Sequence, residues 1–207
     1  MPPRTTLEPP APLAAHLVSS LARVPVAVAR ALAGRAVERD GRTLDPHTQL
    51  LLSGERLVRR KEPHELPVDV ARREFSRGVA LVAPPAPPGV SVREVVLAGA
   101  APIVARVHRP AGAGPRAPGV VYLHGGGWVL GDVAGYSTTC SWLAARARAV
   151  VVSIDYRRAP EHRFPAAVDD ATSAWREVLA RASELGIDPA RVALAGDSAG
   201  GNLAAVV

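Results

Sequence analysis

Three short runs constrain this chain most: GVVYL (Gly119–Leu123) and VVVSI (Val150–Ile154), whose apolar character and short length suit strands buried on both faces, and RVALA (Arg191–Ala195), which reads as a further strand. Between and after them the spacing turns helical, over Tyr136–Arg148, Pro165–Ala182 and from Ser198 to Val207. Strands alternating with helices predict an α/β fold with a mainly parallel sheet. Two further strands, Val92–Leu97 and Pro102–Arg109, come first; the short Ala-Gly-Ala turn between them predicts an antiparallel pair. Asp188-Pro189 marks a turn before the last strand.

The period changes at Ala83–Gly89 (APPAPPG), a stiff, extended connector and the clearest boundary in the chain. Two parts are therefore expected: an N-terminal extension with helical segments over residues 1–88, and an α/β core over residues 89–207. Before the connector everything reads as helical. Leu13–Leu32 has the pattern of a broken amphipathic helix. LDPHTQLLLS (Leu44–Ser53) opens with Asp45 placed to cap and Pro46 at the first helical position, and Pro67–Phe75 repeats that logic. No internal repeat is visible.

Composition removes several function classes. With 48% hydrophobic and 21% charged residues, the 207-residue chain is too apolar for a disordered segment and long enough to bury a core. No apolar run approaches the roughly 18 residues of a membrane helix, and the N-terminal stretch, broken by His16, Arg23, Pro25 and Arg30, does not read as a signal peptide. Cys140 is the single cysteine, which excludes an internal disulfide framework and makes a reducing, cytoplasmic setting the default expectation. The net charge of +6 is spread: residues 1–91 carry 13 basic and 9 acidic groups, residues 92–207 carry 12 and 10. Seven of the eight aromatics lie between Tyr122 and Trp175, away from the most basic run, Arg56–Lys61, so a nucleic-acid surface is not expected.

The chemistry concentrates in two glycine-rich segments. Gly196-Asp197-Ser198-Ala199-Gly200 is a G-x-S-x-G between a predicted strand and a predicted helix. A nucleophile elbow needs small residues two before and two after the serine, because the turn is sharp and packed on neighbouring backbone. The turn lifts the hydroxyl above the sheet edge at a helix N-terminus, where developing negative charge is favoured. The alternative is a plain strand–helix turn in which Ser198 caps the helix. His124-Gly125-Gly126-Gly127-Trp128 follows the strand ending at Leu123, and its glycines can turn backbone N–H groups into a cleft, as an oxyanion hole requires. No Lys and Ser/Thr of the P-loop kind follow, so a phosphate cradle is not indicated. Gly112-x-Gly114-x-x-Ala117 mimics a dinucleotide fingerprint, but Pro115, Pro118 and the strand that follows exclude it.

With these motifs the chain resembles the hormone-sensitive-lipase-like branch of the α/β-hydrolases, esterases with HGGG and GDSAGG signatures. Asp155–Ala166 (DYRRAPEHRFPA) is very close to the family's DYRLAPEHPFPA, and Leu185–Ala205 matches as well. LDPHTQLLL looks like the family's N-terminal cap helix, which implies a helical cap segment within residues 1–88. Arg158 and Arg163 depart from the usual Leu and Pro, the first placing a guanidinium where a packed apolar residue is expected. The resemblance implies Ser198 as nucleophile, with oxyanion N–H groups from Gly126, Gly127 and Ala199. It implies loop support from His124, Gly125, Asp155, Glu161 and Asp197, with a surface ion pair as the other reading of Asp155 and Glu161. Cys140 and Trp142 read as helix core residues. The implied reaction is acyl transfer on a small-molecule ester, without metal or organic cofactor; oligomeric state is not indicated.

In this family the triad runs Ser, then Asp or Glu, then His. All six histidines (His16, His47, His64, His108, His124, His162) and every acid precede Ser198. The resemblance therefore implies the first five of eight strands, an isolated chain that is inactive, and a bare apolar edge at the last strand. A non-catalytic small-molecule-binding protein on the same fold, or a truncated remnant, is the alternative.

Overall fold

The computed structural model describes residue 20, residues 24–58 and residues 62–207. Most of the N-terminal half of the expected Leu13–Leu32 helix, and the side chains of the Arg56–Lys61 run, lie outside the described residues. The chain divides into two compact units, Met1–Val82 and Ala83–Val207.

The first unit contains α1 (Val26–Ala33), β1 (Glu38–Arg39), β2 (Arg42–Thr43), α2 (Pro46–Val58), a 3-10 turn (Pro63–Glu65) and α3 (Val68–Val82). The expectation of helix throughout is corrected by the β1–β2 hairpin. Asp40 and Gly41 both have positive φ, 51° and 72°, the conformation of a tight two-residue hairpin turn. The Asp-Gly dipeptide was the sequence signal for it. Asp45 caps α2 as expected: its Oδ1 accepts the Thr48 N–H at 3.0 Å, and that bond holds the carboxyl below its ordinary range. Buried Gln49 secures the bend, donating to the carbonyls of Ala33 and Arg35 and accepting from the Val37 N–H.

The second unit is a five-stranded mixed sheet between helices. Its elements are β3 (Val90–Leu97), β4 (Ile103–Pro110), β5 (Ala117–Leu123), α4 (Ser137–Ala147), β6 (Val150–Asp155), α5 (Ala166–Ala180), α6 (Ala182–Leu185), β7 (Ile187–Gly196) and α7 (Ala199–Val206). The strand order is β3-β4-β6-β5-β7. The β3–β4 and β4–β6 pairs are antiparallel, and β5–β6 and β5–β7 are parallel. Strand β6 is buried along Val150–Ile154, and alternation sends its residues to two cores. Val150, Val152 and Ile154 meet Ala171, Ala174 and Val178 of α5 and Leu203 of α7; Val151 faces Cys140 and Ala144 of α4. The alanines let both layers approach the sheet closely.

Two boundaries are corrected. Helix α5 stops at Ala180, and α6 restarts after Arg181, whose guanidinium donates to the Val96 carbonyl at 2.8 Å. Strand β7 begins at Ile187 rather than after Asp188-Pro189. Ala117 pairs with Ile187 but Gly119 with Val192, so Asp188-Pro189 falls in a bulge. The bulge is held by Asp188, which accepts from Arg116, Arg191 and the Ala190 N–H. These bonds hold its carboxyl below the usual range. Trp142 is half-buried rather than core; its indole N–H donates to the Pro85 carbonyl at 3.0 Å, and Arg146 lies over its ring.

Candidate active site

The site forms where β5 and β7 end side by side. Leu123 pairs with Gly196, so the glycine loop and the G-x-S-x-G turn leave the sheet at the same level. Two glycines make the turn possible. A Cβ on Gly196 would lie 2.5 Å from the Leu123 carbonyl oxygen, and one on Gly200 would collide with the same carbonyl. Helix α7 is thereby packed onto the end of β5 with no side chain between them.

Ser198 sits at φ 50°, ψ −120°, a conformation an L-residue adopts only when its surroundings impose it. It is exposed, and its side chain does not cap α7. Backbone bonds hold the turn: the Gly200 N–H donates to the Asp197 carbonyl at 2.8 Å, and the Asn202 N–H to the Ser198 carbonyl at 3.0 Å. Ala199 opens the helix behind it.

Asp197 links the two motifs. Its Oδ1 accepts the Gly125 N–H and the Tyr122 hydroxyl, both at 2.9 Å, and its Oδ2 accepts the Tyr136 hydroxyl at 3.0 Å. Burial, reinforced by the carboxylate, raises both phenols above their ordinary range. The glycine loop then folds back on itself. Gly126 and Gly127 have φ of 119° and 61°, and the Gly126 carbonyl accepts the N–H groups of Val129 (3.1 Å) and Leu130 (2.8 Å). A Cβ on Gly126 would strike the Leu130 carbonyl, whereas Gly127 faces open space. Among the described residues, the N–H groups of Gly126 and Gly127 have no protein acceptor.

His124 lies beneath this loop, 2% exposed. Its Nδ1 is 2.9 Å from the Gly125 carbonyl and its ring stacks on Tyr156 at 4.3 Å, while the Tyr156 hydroxyl donates to the His124 carbonyl at 2.6 Å. Burial lowers its affinity for a proton, so the neutral imidazole donates from Nδ1. Asp155 ends β6, half-buried, 4.0 Å from Arg158; Glu161 is exposed in the following turn. That turn is anchored by Arg157, which grips the buried Asp170 through its backbone N–H and its guanidinium at 2.7–3.0 Å. It also touches the glycine loop: the Ala159 N–H donates to the Trp128 carbonyl at 2.9 Å.

The structure thus brings Ser198, Asp197, Ala199 and Gly125–Gly127 together, with His124 underneath and Asp155 and Glu161 in the adjoining turn. Tyr122, Tyr136, Tyr156 and Asp170 were missed by sequence reasoning. The tyrosines lie 32 to 75 positions from their partners and Asp170 lies 13 from Arg157, and no local spacing signals any of these pairings. Among the described residues, no histidine hydrogen-bonds Ser198. His108, fully buried in β4, is held instead between Ser141 Oγ (3.0 Å) and Ser153 Oγ (3.4 Å).

Comparison with known proteins bears on the fold and on sequence similarity. A sequence model of the α/β hydrolase fold matches residues 120–207. The carboxylic ester hydrolase LipN of Mycobacterium tuberculosis is 44% identical over 196 residues, covering 92% of this chain and 51% of that protein. The ethyl acetate hydrolase of Pseudomonas putida is 38% identical over 168 residues, 79% of this chain and 53% of that protein. A hyperthermophilic esterase from the archaeon Pyrobaculum calidifontis superposes with a TM-score of 0.74 at 43% identity, over 79% of this chain and 52% of that one. The chain spans about half the length of these relatives. On its sheet order and these similarities, the chain has the α/β-hydrolase fold and is similar, over the part matched, to carboxylic ester hydrolases of that fold.

Proposed function

We propose that this chain carries the nucleophile and the oxyanion-binding backbone of a serine carboxylic-ester hydrolase. The observation that carries this reading is Ser198 itself: exposed, held at positive φ, and not engaged in capping the helix it begins. A capping serine has extended backbone and spends its oxygen on a helix N–H. This one does neither.

In the proposed reaction Ser198 Oγ attacks the ester carbonyl, and the oxyanion is received by the N–H groups of Gly126, Gly127 and Ala199. Collapse of the tetrahedral intermediate expels the alcohol and leaves an acyl-serine, which water then hydrolyses. Asp197 and His124 fix the glycine loop and take no part in proton transfer. The serine proton needs a base, and no described histidine hydrogen-bonds Ser198. Residues 1–207 alone are therefore proposed to turn esters over extremely slowly, since losing the base costs on the order of a millionfold in a well-studied serine protease. A small-molecule ester is the proposed partner, rather than nucleic acid. A reducing cytoplasmic setting fits the buried Cys140, whose thiol burial pushes up to about 12.

Chemical rescue tests the reading. Purified chain is incubated with p-nitrophenyl acetate, with and without imidazole as an external base, and acetylation is mapped by mass spectrometry. Imidazole-dependent acetylation at Ser198, lost in Ser198→Ala, is expected. Label found only on other residues, or unchanged in Ser198→Ala, rules the reading out.

A further inference from the structure

Arg158 departs from the residue pattern that this chain otherwise follows closely, and the structure puts it to a specific use. Its side chain is 22% exposed and lies in the turn after β6. One guanidinium nitrogen donates to the Gly131 carbonyl, and another stands 4.0 Å from Asp155 Oδ1. Gly131 is no ordinary loop position. A Cβ there would lie 2.6 Å from the Gly125 carbonyl oxygen and 2.8 Å from His124 Nδ1, so its backbone is pressed against both. The preceding residue, Leu130, has its carbonyl packed on Gly126 and its N–H bonded to the Gly126 carbonyl. The next residue along the turn, Ala159, donates its N–H to the Trp128 carbonyl. The Arg158–Ala159 pair therefore grasps the glycine loop at two points, Trp128 and Gly131, on either side of its reversal.

We propose that Arg158 is a positioning residue that clamps the Gly126–Gly131 loop and so holds the Gly126 and Gly127 N–H groups at the oxyanion position. The proposal rests on the reading of those groups as oxyanion donors. A guanidinium can serve a carbonyl and a carboxylate at once because its donors are fixed in a fork. Leucine at this position can pack but cannot donate, and lysine donates from a single nitrogen rather than from a fixed fork of separated donors.

The test compares Arg158→Leu and Arg158→Lys with the parent chain by NMR amide exchange. The reporters are the Val129 and Leu130 amides, which close the loop, with the β6 amides of Val151 and Val152 as the internal standard. Arg158→Leu is expected to speed exchange at Val129 and Leu130 about tenfold or more, leave β6 unchanged and shift Trp128 emission. Arg158→Lys is expected to restore part of the protection. Imidazole-dependent acetylation of Ser198 is expected to slow about tenfold in Arg158→Leu. Loop exchange equal to the parent overturns the proposal, as does acceleration of equal size in β6, which marks general destabilisation. Unfolding of both Arg158→Leu and Arg158→Met overturns it in the same way, and a loosened loop with unchanged acetylation overturns the oxyanion part. If Ser198 acetylation is absent from the parent too, the esterase reading fails while the exchange data still decide the clamp.

Discussion

Asp197 accepts the Gly125 N–H at 2.9 Å, joining the residue beside the serine to a glycine loop 72 positions earlier in the chain. The same carboxylate takes the hydroxyls of Tyr122 and Tyr136, so all three of its donors come from the β5–α4 side of the site. Position 197 thus sets the spacing between nucleophile and glycine loop.

Removing this carboxylate strands three donors that are partly shielded from water. Asp197→Ala is expected to lower stability by about 2–4 kcal/mol, and Asp197→Asn, which keeps one acceptor, by about half of that. Urea denaturation of both variants measures the difference; equal stability in all three proteins refutes the bridging role.

Gly200 is pressed against the Leu123 carbonyl, so even a methyl group forces α7 away from β5. Gly200→Ala is expected to cost about 2–3 kcal/mol by overpacking, whereas alanine is normally the better helix former. Gly201→Ala, whose Cβ would meet nothing closer than 3.2 Å, is the control and is expected to change stability much less.

His108 makes stability depend on pH. Burial among Ser141, Ser153 and the β4–β6–α4 packing, helped by the Arg106 charge, lowers its pKa from 6.5 to about 4. Between those values the unfolded chain binds a proton that the folded chain refuses. Stability from this group is thus complete above pH 6.5 and is lost as pH falls toward 4, by roughly 3 kcal/mol in all. Denaturation midpoints from pH 7 to pH 4 follow the loss. In His108→Gln, which retains hydrogen-bonding capacity without titrating there, the slope over this window is expected to flatten.

Strand β7 has β5 as its one neighbour in the sheet and leaves its outer edge unpaired among the described residues. Such an edge recruits further strands. Residues 1–207 are expected to self-associate with increasing concentration, and Ala193→Lys, at an exposed position in β7, to suppress it. Light scattering across a concentration series decides; parent and variant scattering alike would show that β7 is not the contact.

Much of the second unit was legible in the sequence because its signals are local. GVVYL and VVVSI are short apolar runs between turn residues, the pattern of buried strands, and the glycines of the two motifs announce backbone that must turn sharply or pack closely. Asp188-Pro189 misled because a proline-bearing bulge and a true turn look alike until a partner strand is known. The β1–β2 hairpin was hidden by its two-residue strands, too short for any alternation to show.

By itself the sequence determined the element types of the second unit, the strand–turn–helix setting of Ser198 and the glycine loop after Leu123, since each follows from the conformational freedom and apolar pattern of adjacent residues. Tertiary structure alone decided that Asp197 meets Gly125, Tyr122 and Tyr136, that His108 is enclosed by two serines, and that Arg158 reaches Gly131. Those pairings depend on strand order and register, which bring together residues tens of positions apart. A hydrogen bond between them leaves no trace in the spacing of either segment.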